Sequence, residues 1–319
     1  MTLAARETDI PRVAASTVDV VTTGSALGAE VRGIDLKHLD DAAFAGLMQA
    51  WHDHSVLLLR GQSLSDQDLI AFSRRFGPLE TSIGTIRKNR KHRLRSELAD
   101  ISNLDGENNI RAPGDAWRMM LLANQLWHTD SSFKRVPGKI SLLSAREVPP
   151  AGGETEFADL RAAYEALDEP MRERIDGLVA EHSIFHSRSL VGYTDFSEEE
   201  RAALPPVPQA LVRVHSGSGR KTLYLAAHAS HIVGWPFEQG RKLLEELTAF
   251  ATQSQFVHRH RWQVGDLVVW DNRCTLHRAR PYDDARYRRD FRRITVEDSA
   301  PTLKQAPIRA DATPSRRMP

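Results

Sequence analysis

The sequence predicts a mainly β fold of the α+β class, a β-sandwich or jelly roll with helical insertions. Three observations lead there. Many short apolar runs with strand-like alternation are separated by Gly, Pro, Asn and Asp clusters. Helical spacing is confined to stretches early and in the middle of the chain. The order of strands and helices is too irregular for a doubly wound sheet, and no Gly-rich phosphate loop follows a strand.

Residues 1–17 mix Arg, Glu, Asp and Pro, so they read as a loose arm rather than a signal peptide. Leu27 to Leu36 alternates as a strand. Asp41 to His54 carries helical spacing through Phe44, Leu47, Met48 and Trp51. Ser55 to Arg60 is a short apolar run, read as a buried strand. The next helix has Ser65 as its cap, Asp68 at the capping-box position and Gly77-Pro78 as its stop. Residues 81–97 are basic, with Arg87, Lys88, Arg90, Lys91, Arg93 and Arg95, and read most simply as a solvated loop. Residues 101–120 are rich in Asn, Asp and Gly, a long loop of the lid or binding type. Lys139 to Val148 reads as a strand and Pro149 to Gly153 as a turn. Asp159 to Leu167, Met171 to His182 and Phe237 to Gln253 read as helices. Leu211 to His215 and Thr222 to Ala226 form a strand pair around Gly217-Ser218-Gly219. Asp266 to Trp270 is a buried strand and Phe291 to Val296 a late one. The segment 300–319 reads as a loosely ordered tail. No repeat or linker divides the chain, so 1–319 is expected to be a single catalytic domain.

Composition narrows the function. Net charge is +1, so no global field draws nucleic acid or an anionic membrane. The one cysteine, Cys274, excludes an intramolecular disulfide and a cysteine-based zinc site. No apolar run reaches the ~18 residues of a membrane span, which makes the cytoplasm the default location.

His128-Thr129-Asp130 carries the first chemistry. On a strand, residues i and i+2 share a face, so an imidazole and a carboxylate would project side by side. A second, distant histidine would complete the facial set that leaves non-haem Fe(II) with open positions. Thirteen histidines compete for that place. His277 stands out, because the apolar run Leu267-Val268-Val269-Trp270 leads out into a polar turn just before it. His228 and His231 would share a face if helical, but are more simply satisfied or surface residues. His258 and His260 flank a cation, His52 and His54 sit at a helix end, and His182 and His186 read as helix and loop residues. After His277 come Arg288, Arg289, Arg292 and Arg293. On a strand, Arg289 and Arg293 share a face with Phe291, and Arg288 and Arg292 share the other with Asp290. An arginine near a metal suits a dicarboxylate, whose distal end its planar fork can hold.

Together these segments resemble the taurine/2,4-dichlorophenoxyacetate dioxygenase family of Fe(II)- and 2-oxoglutarate-dependent enzymes, and most of all its aryloxyalkanoate branch. The likeness spans roughly residues 20–298 and rests on Arg60-Gly61-Gln62, Phe76 to Glu80, Glu97 to Asn103, Ala123 to Phe133, Gly152 to Phe157, Gly217 to Lys221, Ala227 to His231 and Trp270 to His277. The resemblance implies a double-stranded β-helix core. It implies His128, Asp130 and His277 as metal ligands and Thr155 and Arg289 as contacts to 2-oxoglutarate. Arg293 would hold the substrate's acid. Counting forward from His277 would select Arg288 and Arg292 instead; matching backward from Ile294-Thr295 selects Arg289 and Arg293, and strand alternation favours the second. The implied cofactors are Fe(II), 2-oxoglutarate and O2, with ascorbate as a stimulant. The implied reaction is hydroxylation of an aryloxyalkanoic acid beside its ether oxygen, giving a phenol, a 2-oxo acid, succinate and CO2. The implied partner is a small anionic molecule, neither nucleic acid nor membrane, in a homo-oligomeric enzyme. The sequence departs from the branch ahead of the His-x-Asp. Where basic residues would help hold the substrate acid, Thr85 and Glu107 to Asn109 stand instead. Alternatives are an alkylsulfonate, alkyl sulfate or other aryl carboxylate as substrate, a zinc-dependent hydrolase on the same triad, and nucleic-acid binding through residues 87–95.

Overall fold

The computed structural model describes residues 18–86 and 93–305. The arm at 1–17, the cations Arg87, Lys88, Arg90 and Lys91, and the tail beyond 305 lie outside the described residues. The chain opens with β1 (Asp19–Thr22), β2 (Ala29–Arg32), helix α1 (Asp41–His54), β3 (Val56–Leu59) and α2 (Asp66–Arg74). The capping box at Ser65 and Asp68 is formed in both directions. Then come β4 (Ala99–Ser102), α3 (Ala116–Leu121), β5 (Gly138–Glu147), β6 (Thr155–Asp159), α4 (Leu160–Ala166), α5 (Glu169–Ile175), β7 (Val179–His182), α6 (Ile184–Ser189) and α7 (Glu198–Ala203). The rest is β8 (Val207–Ala210), β9 (Val212–Val214), β10 (Lys221–Leu223), β11 (Ala229–Ile232), α8 (Phe237–Ala251), β12 (Val257–His260), β13 (Leu267–Asp271), β14 (Thr275–Ala279) and β15 (Asp290–Glu297).

A seven-stranded sheet runs β1-β2-β3-β13-β5-β15-β4, and a three-stranded sheet runs β12-β6-β14. Alternation along the strands decides what each face meets. Leu267 and Val269 of β13, with Ile294 and Val296 of β15, pack outward in one core with Leu47, Trp51, Leu69 and Phe72 of α1 and α2. Val268, Trp270 and Phe291 point the other way, into an inner core shared with Phe157 of β6. A third core joins α4 and α8 to the short sheets. This is the jelly roll with helical insertions. Phe291, Arg293 and Thr295 of β15 thereby face the interior between the sheets.

Three expectations need correction. Residues 101–120 are not one loop: Ala99–Ser102 pairs with β15, and Ala116–Leu121 is helical. The helix starts because the Asp115 carboxylate accepts from the backbone N–H groups of Trp117 and Arg118. Met171 to His182 is not one helix. Gly177, at φ +71°, turns the chain after α5, and β7 follows with Ala180 and His182 buried. His128-Thr129-Asp130 is not a strand, since a lone bridge at His128 gives way to a turn at Asp130. The expected strand pair around Gly217-Ser218-Gly219 forms as β9 and β10.

Candidate active site

His128 sits on an isolated bridge, not on a regular strand. Its N–H donates to the His277 carbonyl at 3.0 Å, and the His277 N–H donates back at 2.8 Å. Such reciprocal pairing holds two residues directly opposite one another, and the imidazole rings lie 4.1 Å apart. The turn after His128 brings Asp130 to the same place. One donor atom from each of the three lies within 4.8 Å of the others, and all three residues are buried.

The donor chemistry fits a metal. The His128 Nδ1–H faces the Leu126 carbonyl at 2.8 Å, which leaves Nε2 as a bare lone pair. That Nε2 is 3.8 Å from Asp130 Oδ1, and His277 Nε2 is 3.7 Å from Asp130 Oδ2, both too long for hydrogen bonds. The His277 Nδ1 is buried without a partner. Three ligand atoms therefore converge without bonding one another. Burial lowers the pKa of both imidazoles, that of His277 most, and favours the neutral forms a metal needs. Burial alone would raise the Asp130 carboxyl, but Arg293, then His277 and His128, outweigh it and hold it at about 2.

A polar chain aims the carboxylate. Ser141 Oγ donates to Asp130 Oδ2 at 2.7 Å, Asn272 Nδ2 donates to Ser141 Oγ at 2.9 Å, and Trp270 Nε1 donates to Asn272 Oδ1 at 3.0 Å. Arg293 Nη1 donates to Asp130 Oδ1 at 2.5 Å.

The three residues border two adjoining cavities. The first holds about 860 Å³ of empty space and is lined by His128, His277, Thr155, Trp270, Arg289 and Arg293, among others. The Thr155 hydroxyl accepts from Trp262 Nε1 at 3.0 Å. Arg289 is 7% exposed and lies 3.8 Å over the Phe291 ring. Among the described residues its only hydrogen bond from the side chain is a long one, 3.4 Å, to the Ile101 carbonyl. Burial pulls its pKa down to about 10, opposed by Tyr282. The other arginines of this wall are paired or solvated. Arg118 is bidentate on Asp284, Arg280 lies 3.9 Å from Glu156, and Arg293 is on Asp130. Among the described residues no carboxylate pairs with Arg289.

Arg288 and Arg292 face away, as backward matching required. Arg288 pairs with Glu147 at the surface, and Arg292 with Asp290 and Asp66 on the outer face. Thr85 bonds the Ser82 carbonyl and lines a third, separate cavity. Glu107 is exposed on a turn. Arg93, expected in a solvated loop, is instead drawn between Asp100 and Asp290. His258 and His260 lie on the paired strand β12, with His260 on Asp266. A second cluster, His215, Asp271 and Cys274, is also close enough to bind a metal. Arg273 and His215 saturate the Asp271 carboxylate there, and burial pushes the Cys274 thiol up to about 12. It is a structural network.

Sequence reading missed Ser141, on a strand whose apolar character dominated, and Arg188, which lines the second cavity from a polar stretch of α6 with no motif around it.

Comparison with known proteins fits this geometry. Residues 19–295 match the model of the taurine catabolism dioxygenase TauD, TfdA family. A 2,4-dichlorophenoxyacetate dioxygenase of Cupriavidus pinatubonensis, alpha-ketoglutarate-dependent by name, is 49% identical over 85% of this chain and 95% of its own. An (S)-phenoxypropionate/alpha-ketoglutarate-dioxygenase of Delftia acidovorans is 38% identical over 84% of this chain and 91% of its own. Among solved structures, AAD-2 in complex with Mn(II) and N-oxalylglycine superposes with a TM-score of 0.86 at 42% identity, covering 90% of this chain and 99% of that one. The chain belongs to the TauD/TfdA family of dioxygenases. Among its described residues no helix is long and apolar enough to cross a membrane.

Proposed function

We propose that the chain is an Fe(II)- and 2-oxoglutarate-dependent dioxygenase acting on an aryloxyalkanoic acid such as 2,4-dichlorophenoxyacetate. The observation that carries the reading is Arg289, a buried guanidinium without a counter-anion among the described residues, in the cleft that also presents His128 and His277, the two histidines grouped with Asp130. A dicarboxylate chelating a metal at one end would bring its other carboxylate to such a residue. The names of the relatives support both the cosubstrate and the substrate class.

In this reading His128, Asp130 and His277 hold the metal. Bound Fe(II) would supply O2 activation coupled to oxidation of 2-oxoglutarate to succinate and CO2. The protein's own contribution is positional. Arg289 takes the distal carboxylate of 2-oxoglutarate in its fork, and Thr155 gives it a hydrogen bond. Trp270, Leu143 and Ala279 form an apolar wall that limits water at the cosubstrate. Arg293 lines both cavities and, with Nη1 on Asp130, presents the remaining N–H groups of its fork to the substrate's acid group. One oxygen atom enters the C–H bond beside the ether oxygen and gives a hemiacetal. Its carbon–aryloxy bond then breaks, the aryl oxygen leaves as the phenol with the hydroxyl proton, and glyoxylate or a related 2-oxo acid remains.

The proposal extends to one catalytic domain in a cytoplasmic homo-oligomer with a small acid as its partner, and to ascorbate as a stimulant. Anaerobic reconstitution with Fe(II) and 2-oxoglutarate, followed by O2, tests it on a panel of aryloxy acids, alkylsulfonates, alkyl sulfates and other aryl carboxylates. The expected result is substrate-dependent succinate release with phenol from the aryloxy acids. No release that depends on both O2 and 2-oxoglutarate would refute the chemistry and favour a hydrolase. Release confined to sulfonates or sulfates would refute the substrate class alone.

A further inference from the structure

The second cavity adjoins the first at His128 and Arg293, is lined by Asp130 as well, and holds about 690 Å³ of empty space. Its apolar wall includes Trp117, Met120, Leu121 and Phe133, a surface suited to an aromatic ring. The charged groups of this wall are nearly all matched. Lys134 Nζ is 2.6 Å from Glu80 Oε2, Asp100 is held by Arg93, and Glu97 lies 3.5 Å from Arg74 and Arg95. Arg293 is on Asp130.

Arg188 is the exception. It projects from α6 into this wall and is 7% exposed. Among the described residues it has no carboxylate partner. Its one side-chain hydrogen bond runs from Nη1 to Ser187 Oγ at 3.3 Å, and its Nε is buried without a partner. Ser187 is itself engaged, with the Ile184 carbonyl at 2.9 Å and His228 Nδ1 at 2.8 Å. The His228 ring in turn packs on Phe133, 4.9 Å between centroids. Other buried or half-buried arginines end on backbone carbonyls, as Arg75 on Leu39, Arg161 on His52 and Arg241 on Ala229, or on carboxylates, as Arg93 on Asp100 and Arg213 on Asp298. Among the described residues the Arg188 side chain bonds neither a carbonyl nor a carboxylate. Burial, and then the nearness of Arg293, pull its pKa down to about 10, opposed by Asp130 and Tyr193. A charge kept under those conditions with no internal anion points to an external one.

We propose that Arg188 is a specificity-determining residue that, with Arg293, grips the acid group of the substrate while the aromatic body lies against Phe133 and Trp117. The assignment rests on the aryloxy-acid reading above. It explains how the pocket stays cationic although Thr85 and Glu107 to Asn109 stand where the family resemblance implied basic residues. The positive charge comes from α6 instead, an element behind the His-x-Asp in the chain.

The test compares 2,4-dichlorophenoxyacetate with its uncharged amide, as dissociation constants on full-length protein loaded with Mn(II) and N-oxalylglycine, where no turnover occurs. Wild type is expected to prefer the acid. Arg188→Gln should weaken the acid about 10- to 150-fold, the span of one charge-assisted hydrogen bond, and leave the amide and N-oxalylglycine within about twofold. Arg188→Lys should restore part of the preference, and it decides the matter if the Gln variant does not fold. Acid and amide weakened alike, with a lower melting temperature, would mean a structural role and overturn the assignment. A wild-type preference that survives in both variants would overturn it and leave the aryloxy-acid reading standing. A wild type that prefers no aryloxy acid over its amide would overturn both.

Discussion

Replacing Arg289 by Met separates what this residue does for the fold from what it does for the cosubstrate. Burial pulls the guanidinium down to about 10, which corresponds to roughly 3 kcal/mol for keeping the charge inside at neutral pH. The Phe291 face at 3.8 Å returns up to about 2 kcal/mol as a desolvated cation–π contact. The long bond to the Ile101 carbonyl adds little. The free protein should therefore gain roughly 1 kcal/mol from Arg289→Met, and melt about 1–2 °C higher. With cosubstrate the balance reverses. Removing one half of a buried charge pair costs about 2–5 kcal/mol, so 2-oxoglutarate should bind roughly 30- to 4,000-fold more weakly. Thermal melts with and without 2-oxoglutarate, on Mn(II)-loaded protein, read both effects. The wild type should be stabilised by the cosubstrate and the variant barely at all. A variant less stable than wild type that still binds 2-oxoglutarate within threefold of it would refute the reasoning. So would the same loss of binding in Arg288→Met, whose side chain pairs with Glu147 at the surface.

Other consequences concern the metal donors and the pH range. His277→Ala should abolish tight metal retention, measured by elemental analysis after gel filtration, whereas His258→Ala on the paired strand β12 should leave it intact. Ser141→Ala removes the donor that aims Asp130 and should weaken metal binding about 10- to 100-fold without unfolding the chain. His182 is fully buried, with Nδ1 on Ser132 Oγ at 3.0 Å, and burial lowers its pKa to about 3. The unfolded chain then binds this proton first as pH falls, so stability contributed by neutral His182 is intact above about 6.5 and drains away between about 6.5 and 3. Urea unfolding between pH 6.5 and 4.5 should show His182→Gln losing about one proton's worth of slope, roughly 1.4 kcal/mol per pH unit; an unchanged slope would put the acid lability elsewhere.

Local signals in this chain were legible where one residue's chemistry decides the outcome. The Ser65–Asp68 capping box and the run Val56–Leu59 need only their own neighbours. The inward face of β15 was legible because alternation from Phe291 leaves Arg293 no other direction. The reading failed where position in the chain had to be outweighed. Met171, Ile175 and Leu178 carry helical spacing, yet Gly177 in the left-handed region divides them between a helix and a turn before β7. Asp115 was hidden as a helix cap by the loop-like residues around it. His128 and Asp130 were placed together on the premise of a strand. What aligns them is one reciprocal bridge to His277 followed by a turn, with Ser131 at φ +57°.

Arg188 shows a deeper reason why part of the site stayed hidden. The chain holds 43 lysines and arginines against 42 aspartates and glutamates, so neither total singles out a charge that needs a ligand. What marks an anion site is the cation left over once local pairing is complete, and pairing is a property of three-dimensional neighbours. Around the first cavity Arg118 and Arg293 are answered by Asp284 and Asp130, and Arg280 is solvated beside Glu156, which Arg259 and Arg278 hold. Around the second, Lys134 and Arg293 are answered by Glu80 and Asp130. Among the described residues each cavity keeps one buried guanidinium without an anion, Arg289 in the first and Arg188 in the second. Two such charges destabilise the free protein, and a fold selected for stability alone would replace them with apolar side chains. Their presence in two cavities that border the same three donors fits a reaction that needs two separate acids, one consumed as cosubstrate and one oxidised. If that is right, Arg188→Met and Arg289→Met should each raise the melting temperature of the free protein. Arg289→Met should lose the stabilisation by 2-oxoglutarate, and Arg188→Met only that by the aryloxy acid.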